Sequence, residues 1–135
     1  GASVGVADLV ANALRMRPDR ILVGEVRTPR EASALLEALS TGHEGALTSI
    51  HAGSAADAIA RLELLLARAG DLSAEAARRH VLRAIDLVVH LEREASGRRV
   101  VREIAAIDED GARPLWRAGL AAHLALPDRL RNALA

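Results

Sequence analysis

Two short apolar runs with one helical segment between them restrict the fold of this 135-residue chain more than any other feature. Residues 21–26 and 46–51 are each the length of a strand, and the first run is rich in β-branched side chains. Between them, Thr28-Pro29 is a typical helix start, and Gly42 ends the helical spacing of apolar residues. Because a crossover of this length joins parallel strands, the sequence predicts an α/β fold.

The flanking segments add further elements to this unit. Residues 8–16 have apolar side chains at helical spacing, and Ser54 and Ser73 are placed to cap two more helices after the second run. Farther along the chain the apolar period changes to two, which predicts an antiparallel β-hairpin over residues 87–93 and 99–107. The predicted architecture is therefore a set of parallel strands with crossover helices, followed by a hairpin.

Composition excludes several classes of protein. No apolar stretch approaches the ~20 residues needed to span a bilayer, so we expect a soluble, unexported protein. The absence of cysteine excludes a disulfide framework and zinc bound by cysteine. A formal net charge of zero gives no reason to expect nucleic acid as a partner. All the cationic side chains other than histidine are arginines, and without lysine the chain cannot contain a G-x-x-x-x-G-K-[ST] phosphate-binding loop.

Two polar residues interrupt the apolar character of the predicted strands. Glu25 lies near the carboxyl end of the first run, and His51 ends the second. Ligands of open parallel sheets bind beyond the carboxyl ends of the strands, where a carboxylate can orient a water and an imidazole can neutralise phosphoryl charge. The alternative is that Glu25 only pairs with Arg27 or Arg20 at a strand end, as charged residues commonly do.

The segment 41–45 contains two glycines that allow a tight turn, which would bring His43 back toward the sheet edge. His43, Glu44 and His51 are metal-ligand types, but their spacing matches no common zinc pattern, so no metal site is expected. Four arginines around the first strand could contact phosphate or a neighbouring subunit, or could form a solvated face with local ion pairs. They are Arg15, Arg17, Arg20 and Arg27.

Segments 17–27 and 41–52 together resemble the Walker B segment and the histidine box of the type II/type IV secretion ATPase superfamily. Members of this superfamily are hexameric motors that drive secretion, pilus assembly and pilus retraction. The similarity is greatest to the tight-adherence (Flp-type) pilus branch and covers about residues 6–107. It implies that residues 1–112 form the C-terminal half of a RecA-like P-loop NTPase domain, and that residues 113–135 form a C-terminal tail.

The resemblance implies roles for five residues. Glu25 corresponds to the catalytic glutamate that polarises the attacking water, and His51 to the second histidine of the box, near the γ-phosphate. Gly24 occupies the place where many other ATPases carry a Mg²⁺-binding aspartate. His43 matches the first histidine of the box, and Arg27 matches the basic residue after the glutamate. Gly24, Arg27 and His43 are therefore the expected nucleotide-binding residues.

The resemblance also implies cofactors, partners and location. ATP and Mg²⁺ are expected in the full-length protein, as are assembly into a homo-hexamer and contact with an inner-membrane secretion or pilus platform protein. Nucleic acid is not an expected partner. The implied location is cytoplasmic, peripheral to the inner face of the cell membrane.

The sequence departs from the family pattern in one large respect, because the phosphate-binding loop and the acidic box would lie upstream of Gly1. Since that loop supplies most of the transition-state stabilisation in phosphoryl transfer, we expect the isolated chain to be inactive and to bind ATP weakly or not at all. We also expect the strand at 46–51 to have an unpaired apolar edge, which favours pairing with another chain or with more of a longer polypeptide.

Two other functions compete with the motor hypothesis. The chain could be a non-hydrolysing interaction module that docks on a pilus or secretion apparatus, or a metal-dependent hydrolase that uses histidine and glutamate. The motif block favours the motor, because a docking module has no need for Glu25 and His51 at neighbouring strand ends.

Overall fold

A computed structural model of the chain describes residues 4–42, 45–70, 72–120 and 126. Within these residues four helices and five strands follow one another along the chain. They are α1 (Val6–Leu14), β1 (Leu22–Val23), α2 (Pro29–Ser40), β2 (Leu47–Thr48), α3 (Ala55–Arg68), α4 (Ala74–Ala84), β3 (Leu87–Arg93), β4 (Arg99–Asp108) and β5 (Gly111–Arg117). The predicted α/β class is confirmed.

The helices begin where short polar side chains satisfy their first backbone N–H groups. Thr28, Ser54 and Ser73 each accept a hydrogen bond from the backbone N–H three residues ahead, as N-cap residues do. Helix α1 begins two residues earlier than the predicted start at residue 8. Asp8 lies inside its first turn and accepts a hydrogen bond from the backbone N–H of Gly5, which is the N-cap.

Strands β1 and β2 form the predicted parallel pair, and α2 connects them. Leu22 faces Leu47 and Val23 faces Thr48 across the ladder. Both strands are two residues long, shorter than the predicted runs at 21–26 and 46–51. One backbone hydrogen bond lies beyond each end of this ladder: the N–H of Leu47 donates to the carbonyl oxygen of Ile21, and the N–H of Val26 donates to that of Ser49. The two backbones therefore remain adjacent as far as Glu25.

The predicted hairpin is present and is part of a three-stranded antiparallel sheet in the order β3-β4-β5. Strand β3 matches the predicted bounds, and β4 extends one residue beyond them. Pairing shifts by one residue after His90 on β3 and after Ile104 on β4. Such bulges bend and twist a sheet locally.

A single hydrophobic cluster joins the two sheets through the helices. Aliphatic side chains from α2, α3 and α4 pack with those of β1 and with Ile107 of β4. Leu35, Leu36, Ile107, Val26 and Val81 are its largest fully buried members. Because Val26 lies immediately after Glu25, the core fixes the backbone next to that residue.

Two apolar surfaces stay open in this arrangement. Leu22 and Leu47, opposite each other on the parallel pair, are both exposed, as are several side chains of β3. Among the helices of the described residues, none combines the length and hydropathy required to cross a bilayer.

Candidate functional site

Glu25 and His51 lie side by side just beyond the carboxyl ends of β1 and β2. The backbone N–H of Val26 donates to the carbonyl oxygen of Ser49, at 3.0 Å. The Ser49 hydroxyl donates to the carbonyl oxygen of Gly24, at 2.7 Å. These two bonds hold the two segments together on either side of Glu25. The edge predicted from the sequence therefore exists, and both polar residues project from it.

Two side chains, His51 and Arg27, contact the Glu25 carboxylate. One oxygen lies 3.1 Å from Nε2 of His51, and the other lies 2.5 Å from the guanidinium of Arg27. The Glu25 side chain is 21% exposed, whereas that of His51 is 85% exposed. His51 thus covers the carboxylate from the solvent side.

The two oxygens of Glu25 differ in how well they are satisfied. The oxygen next to His51 is inaccessible to solvent and accepts no hydrogen bond from any described residue. Its 3.1 Å contact with His51 meets the distance of an ion pair without the geometry of a hydrogen bond. A shielded carboxylate oxygen of this kind has a free lone pair to offer to a further donor.

The surrounding charges keep Glu25 ionised. Its pKa lies below the ordinary value, mainly because Arg27 donates a hydrogen bond to it, while partial burial acts in the opposite direction. The positive charges of His51 and Arg61 lower the pKa of Glu25 further. Reciprocally, the carboxylate raises the pKa of Arg27 above its usual range.

Arg61 is the residue near this site that the sequence analysis did not assign. It lies on α3, two helical turns beyond the N-cap, and its charge reaches Glu25 from a third element. The spacing of Ser54, Asp57 and Arg61 places all three near one face of the helix, and this was the available signal.

The N-terminus of α2 fixes the backbone of Arg27. The Glu31 carboxylate accepts hydrogen bonds from the backbone N–H groups of Arg27, at 2.8 Å, and Thr28, at 3.0 Å. The Thr28 hydroxyl accepts from the backbone N–H of Glu31, which completes a capping box. These bonds hold the pKa of Glu31 below its ordinary value.

Gly24 is placed beside the site with its carbonyl oxygen already bonded to Ser49. A Cβ added there would meet no described atom within 4 Å, so packing does not require glycine at this position. Gly24 also lines one end of a groove of about 290 Å³ between α1 and β1. The other walls of the groove are apolar.

The remaining predicted residue, His43, lies outside the described residues, as does Glu44. On either side of them, Gly42 and Gly45 have φ angles of +86° and +78°. Glycine adopts such angles without a steric penalty, and the predicted tight turn needs this freedom. Among the described residues, no cluster of three or more side chains could hold a metal ion.

Arg20, another of the four arginines named around the first strand, and two further histidines make their contacts elsewhere. Arg20 lies next to Gly45, where its Nε atom is 3.1 Å from the position that a Cβ would take. His80 contacts the Ser40 hydroxyl on α2, and His90 lies on β3. Of the candidates, the structure therefore brings together Glu25, His51 and Arg27.

Comparison with known families gives a match along almost the whole chain. A family model described as Type II/IV secretion system protein matches residues 2–125. The conjugal transfer protein TrbB of Rhizobium radiobacter is 44% identical over 106 residues, which cover 78% of this chain and 31% of that protein. The type IV secretion system protein VirB11 of Bartonella quintana is 38% identical over 106 residues, covering 76% of this chain and 29% of that protein.

Solved structures agree with these sequence matches. The VirB11 ATPase of the Brucella suis type IV secretion system, in complex with sulphate, superposes with a TM-score of 0.70 at 33% identity. That match covers 76% of this chain and 32% of the other. The ATPase DotB of Legionella pneumophila gives a TM-score of 0.61 at 34% identity, covering 78% of this chain and 28% of the other. The chain thus spans about a third of the length of the relatives it matches.

Proposed function

Because the chain belongs to the type II/IV secretion system protein family, we propose that it supplies the hydrolysis-side residues of an ATP-driven secretion motor. The observation that carries this proposal is the contact between Glu25 and His51 at the ends of two parallel strands. Local pairing within one strand end would bring Arg27 to Glu25, but it does not explain a histidine arriving from the neighbouring strand.

In the proposed reaction Glu25 orients and polarises the water that attacks the terminal phosphate of ATP. An ionised carboxylate is needed for this role, and Arg27 provides for it by lowering the pKa of Glu25. In the structure one carboxylate oxygen contacts the Arg27 guanidinium and the other contacts the His51 imidazole. A substrate phosphate that attracts His51 or Arg27 would free an oxygen for water.

The other proposed nucleotide contacts are Gly24 and His43, and we propose Arg61 as a further one because its charge lowers the pKa of Glu25. Imidazole and guanidinium groups suit phosphate oxygens, which carry the charge that develops during transfer. Among the described residues no group of three or more histidine or carboxylate side chains could hold a metal ion, and the Glu25 carboxylate is paired with Arg27. We propose that Mg²⁺ enters the site bound to the phosphates of the substrate.

The proposal extends to the whole protein. We propose a homo-hexamer that acts at the cytoplasmic face of the membrane, with a secretion or pilus platform protein as its partner, and a place in the tight-adherence branch. The matched relatives include conjugal transfer and VirB11 proteins, so the motor type, rather than the branch, has the broader support. Light scattering of the complete protein tests the assembly, and a mass of one protomer with ATP present would contradict it.

The 135-residue chain is proposed to be inactive on its own. It contains no lysine and therefore cannot itself form a G-x-x-x-x-G-K-[ST] phosphate-binding loop. Magnesium-dependent phosphate release by the isolated chain, lost in Glu25→Gln, would overturn this part of the proposal.

The central experiment measures ATP hydrolysis by the complete protein encoded by the gene. Glu25→Gln is expected to lower kcat by about a hundredfold or more, the usual contribution of a positioned base. His51→Ala is expected to lower it as well. The matched control is Glu92→Gln, which removes a carboxylate paired with Arg102 on the antiparallel sheet and should keep wild-type activity. Equal activity of Glu25→Gln and Glu92→Gln would refute the motor proposal and favour a docking module.

A further inference from the structure

Glu103 is the one buried charged side chain among the described residues, and the proposed reaction does not use it. It lies on β4 and is 5% exposed. One carboxylate oxygen accepts from Arg117 of β5, at 2.8 Å from Nε and 2.7 Å from a terminal guanidinium nitrogen. The other accepts from the backbone N–H of Ala55, at 3.4 Å.

Ala55 is the first residue of α3, so Glu103 takes part in capping that helix from a distant strand. The first N–H groups of a helix have no partner within it, and together they carry partial positive charge. Ser54 satisfies the N–H of Asp57, and Glu103 satisfies that of Ala55. Burying a carboxylate is costly without partners of this kind, which indicates that its position is specific.

The helix end that Glu103 holds is also the end of the loop that carries His51. The loop leaves β2 at Ser49, where hydrogen bonds to Val26 and Gly24 fix it, and enters α3 at Ala55. The His51 side chain between these anchors is largely exposed, so surrounding side chains do not enclose it. Its place beside Glu25 therefore depends on where the loop begins and ends.

We infer that Glu103, supported by Arg117, is a positioning residue that holds His51 against Glu25 by anchoring the N-terminus of α3. The catalytic role of His51 rests on the proposed function, whereas its placement beside Glu25 does not. Through this contact the antiparallel sheet determines the geometry of an edge that belongs to the parallel pair.

Histidine ring signals provide the direct test. The 135-residue chain is labelled with ¹³C-histidine, and spectra are recorded at one fixed pH for wild type, Glu103→Ala and the control Glu92→Gln. His90 faces Glu103 directly across the sheet and reports local change, whereas His80 on α4 serves as the reference. A His51→Ala variant assigns the signal of interest.

The His51 signal is expected to move in Glu103→Ala while the His80 signal stays in place. Both signals are expected to stay in place in Glu92→Gln. Movement of the His90 signal without that of His51 would show a purely local role and would overturn it. The inference would also be overturned if Glu103→Ala lowered the melting temperature but left the His51 signal unchanged.

Two milder variants keep the test decisive if Glu103→Ala does not fold. Glu103→Gln preserves volume but turns an amide N–H₂ toward Arg117 or the Ala55 N–H, so one contact is lost. Arg117→Gln removes the partner from a half-exposed position. Each is expected to move the His51 signal less than the full truncation, and no movement in either would overturn the inference.

Activity of the complete protein gives a second readout. Misplacing a catalytic group by about 1 Å costs up to about a hundredfold, so Glu103→Ala should lower kcat by about tenfold to a hundredfold and leave KM nearly unchanged. A fall in activity that tracks only the folded fraction would contradict positioning. If the wild-type protein hydrolyses no ATP, the proposed function fails, while the His51 spectra still decide the inference.

Discussion

The capping box at the start of α2 allows a sharp stability prediction next to the site. Glu31→Ala removes a carboxylate that accepts two backbone hydrogen bonds, from Arg27 at 2.8 Å and Thr28 at 3.0 Å. Each is worth about 0.5–1.5 kcal/mol net, and the partial exposure of the site favours the lower half of that range. Alanine regains a few tenths of a kcal/mol in helix propensity. We therefore expect a loss of about 0.7–1.7 kcal/mol in the free energy of unfolding.

The matched control is Glu37→Ala on the same helix. Glu37 is exposed, and no hydrogen bond of its side chain is described. Glu37→Ala therefore changes helix propensity as Glu31→Ala does, without removing a hydrogen bond. Urea unfolding followed by the fluorescence of Trp116, the only tryptophan, measures both variants. Glu31→Ala should also melt about 3–8 °C lower than wild type, while Glu37→Ala stays near it.

The pH dependence of the same pair tests the cause. The pKa of Glu31 is lower in the folded state than in the unfolded chain, so its stabilisation is present above the unfolded value. It is lost as the pH falls through the folded value. The gap between wild type and Glu31→Ala should therefore narrow as the pH falls from 7 toward 3. Equal stabilities of the two alanine variants at pH 7, or a gap that widens in acid, would refute the reasoning.

Two further predictions concern the site and the core. Arg27→Met should raise the pKa of Glu25 toward its ordinary value, because the hydrogen bond from Arg27 is the main cause of the lowering. The control Arg30→Met should leave the pKa of Glu25 unchanged. A carboxyl ¹³C titration measures both variants. Leu36→Ala empties a site that is 1% exposed and should cost about 2–5 kcal/mol in urea unfolding, against little change for Leu22→Ala at 73% exposure. An unshifted Glu25 titration, or equal costs for the two leucines, would contradict them.

Helix starts were predictable from the sequence because their chemistry is local. Thr28, Ser54 and Ser73 each bond to a backbone group three residues away, so the residues that define the cap are neighbours in the chain. Strand β3 was predictable for a related reason, since its period-two pattern lies within one segment, and its residues from Leu87 to Leu91 alternate between exposed and half-buried.

Strand lengths in the parallel pair were not predictable in the same way. The apolar run at 21–26 has the composition of a longer strand, but β1 comprises only Leu22–Val23. A ladder needs a partner backbone in register, and beyond Val23 the two segments share only isolated hydrogen bonds. Pairing depends on the neighbouring strand, so composition alone overestimates its length.

At the candidate site too, some residues were predictable from local sequence and others depended on packing between distant segments. Glu25 and His51 were predicted to meet because parallel strands end at a common edge, and the structure places them in contact. Arg61 and Glu103 were missed because their roles depend on packing between distant segments. The bond from Glu103 to Ala55 spans 48 positions of the chain, and no local pattern encodes it.

The ion pair with Arg27 was the alternative explanation for Glu25, and the structure shows that the two explanations are compatible. A structural ion pair satisfies one oxygen of the carboxylate and needs no further partner. The second oxygen is shielded from water and lacks a hydrogen bond from any described residue, and the exposed His51 imidazole lies 3.1 Å from it. Holding an exposed side chain in one place costs conformational entropy. The ion pair between Glu25 and Arg27 does not by itself require His51 to be held there. A catalytic site does require it, because the Glu25 carboxylate must stay ionised until a substrate phosphate attracts Arg27 and His51 away from it.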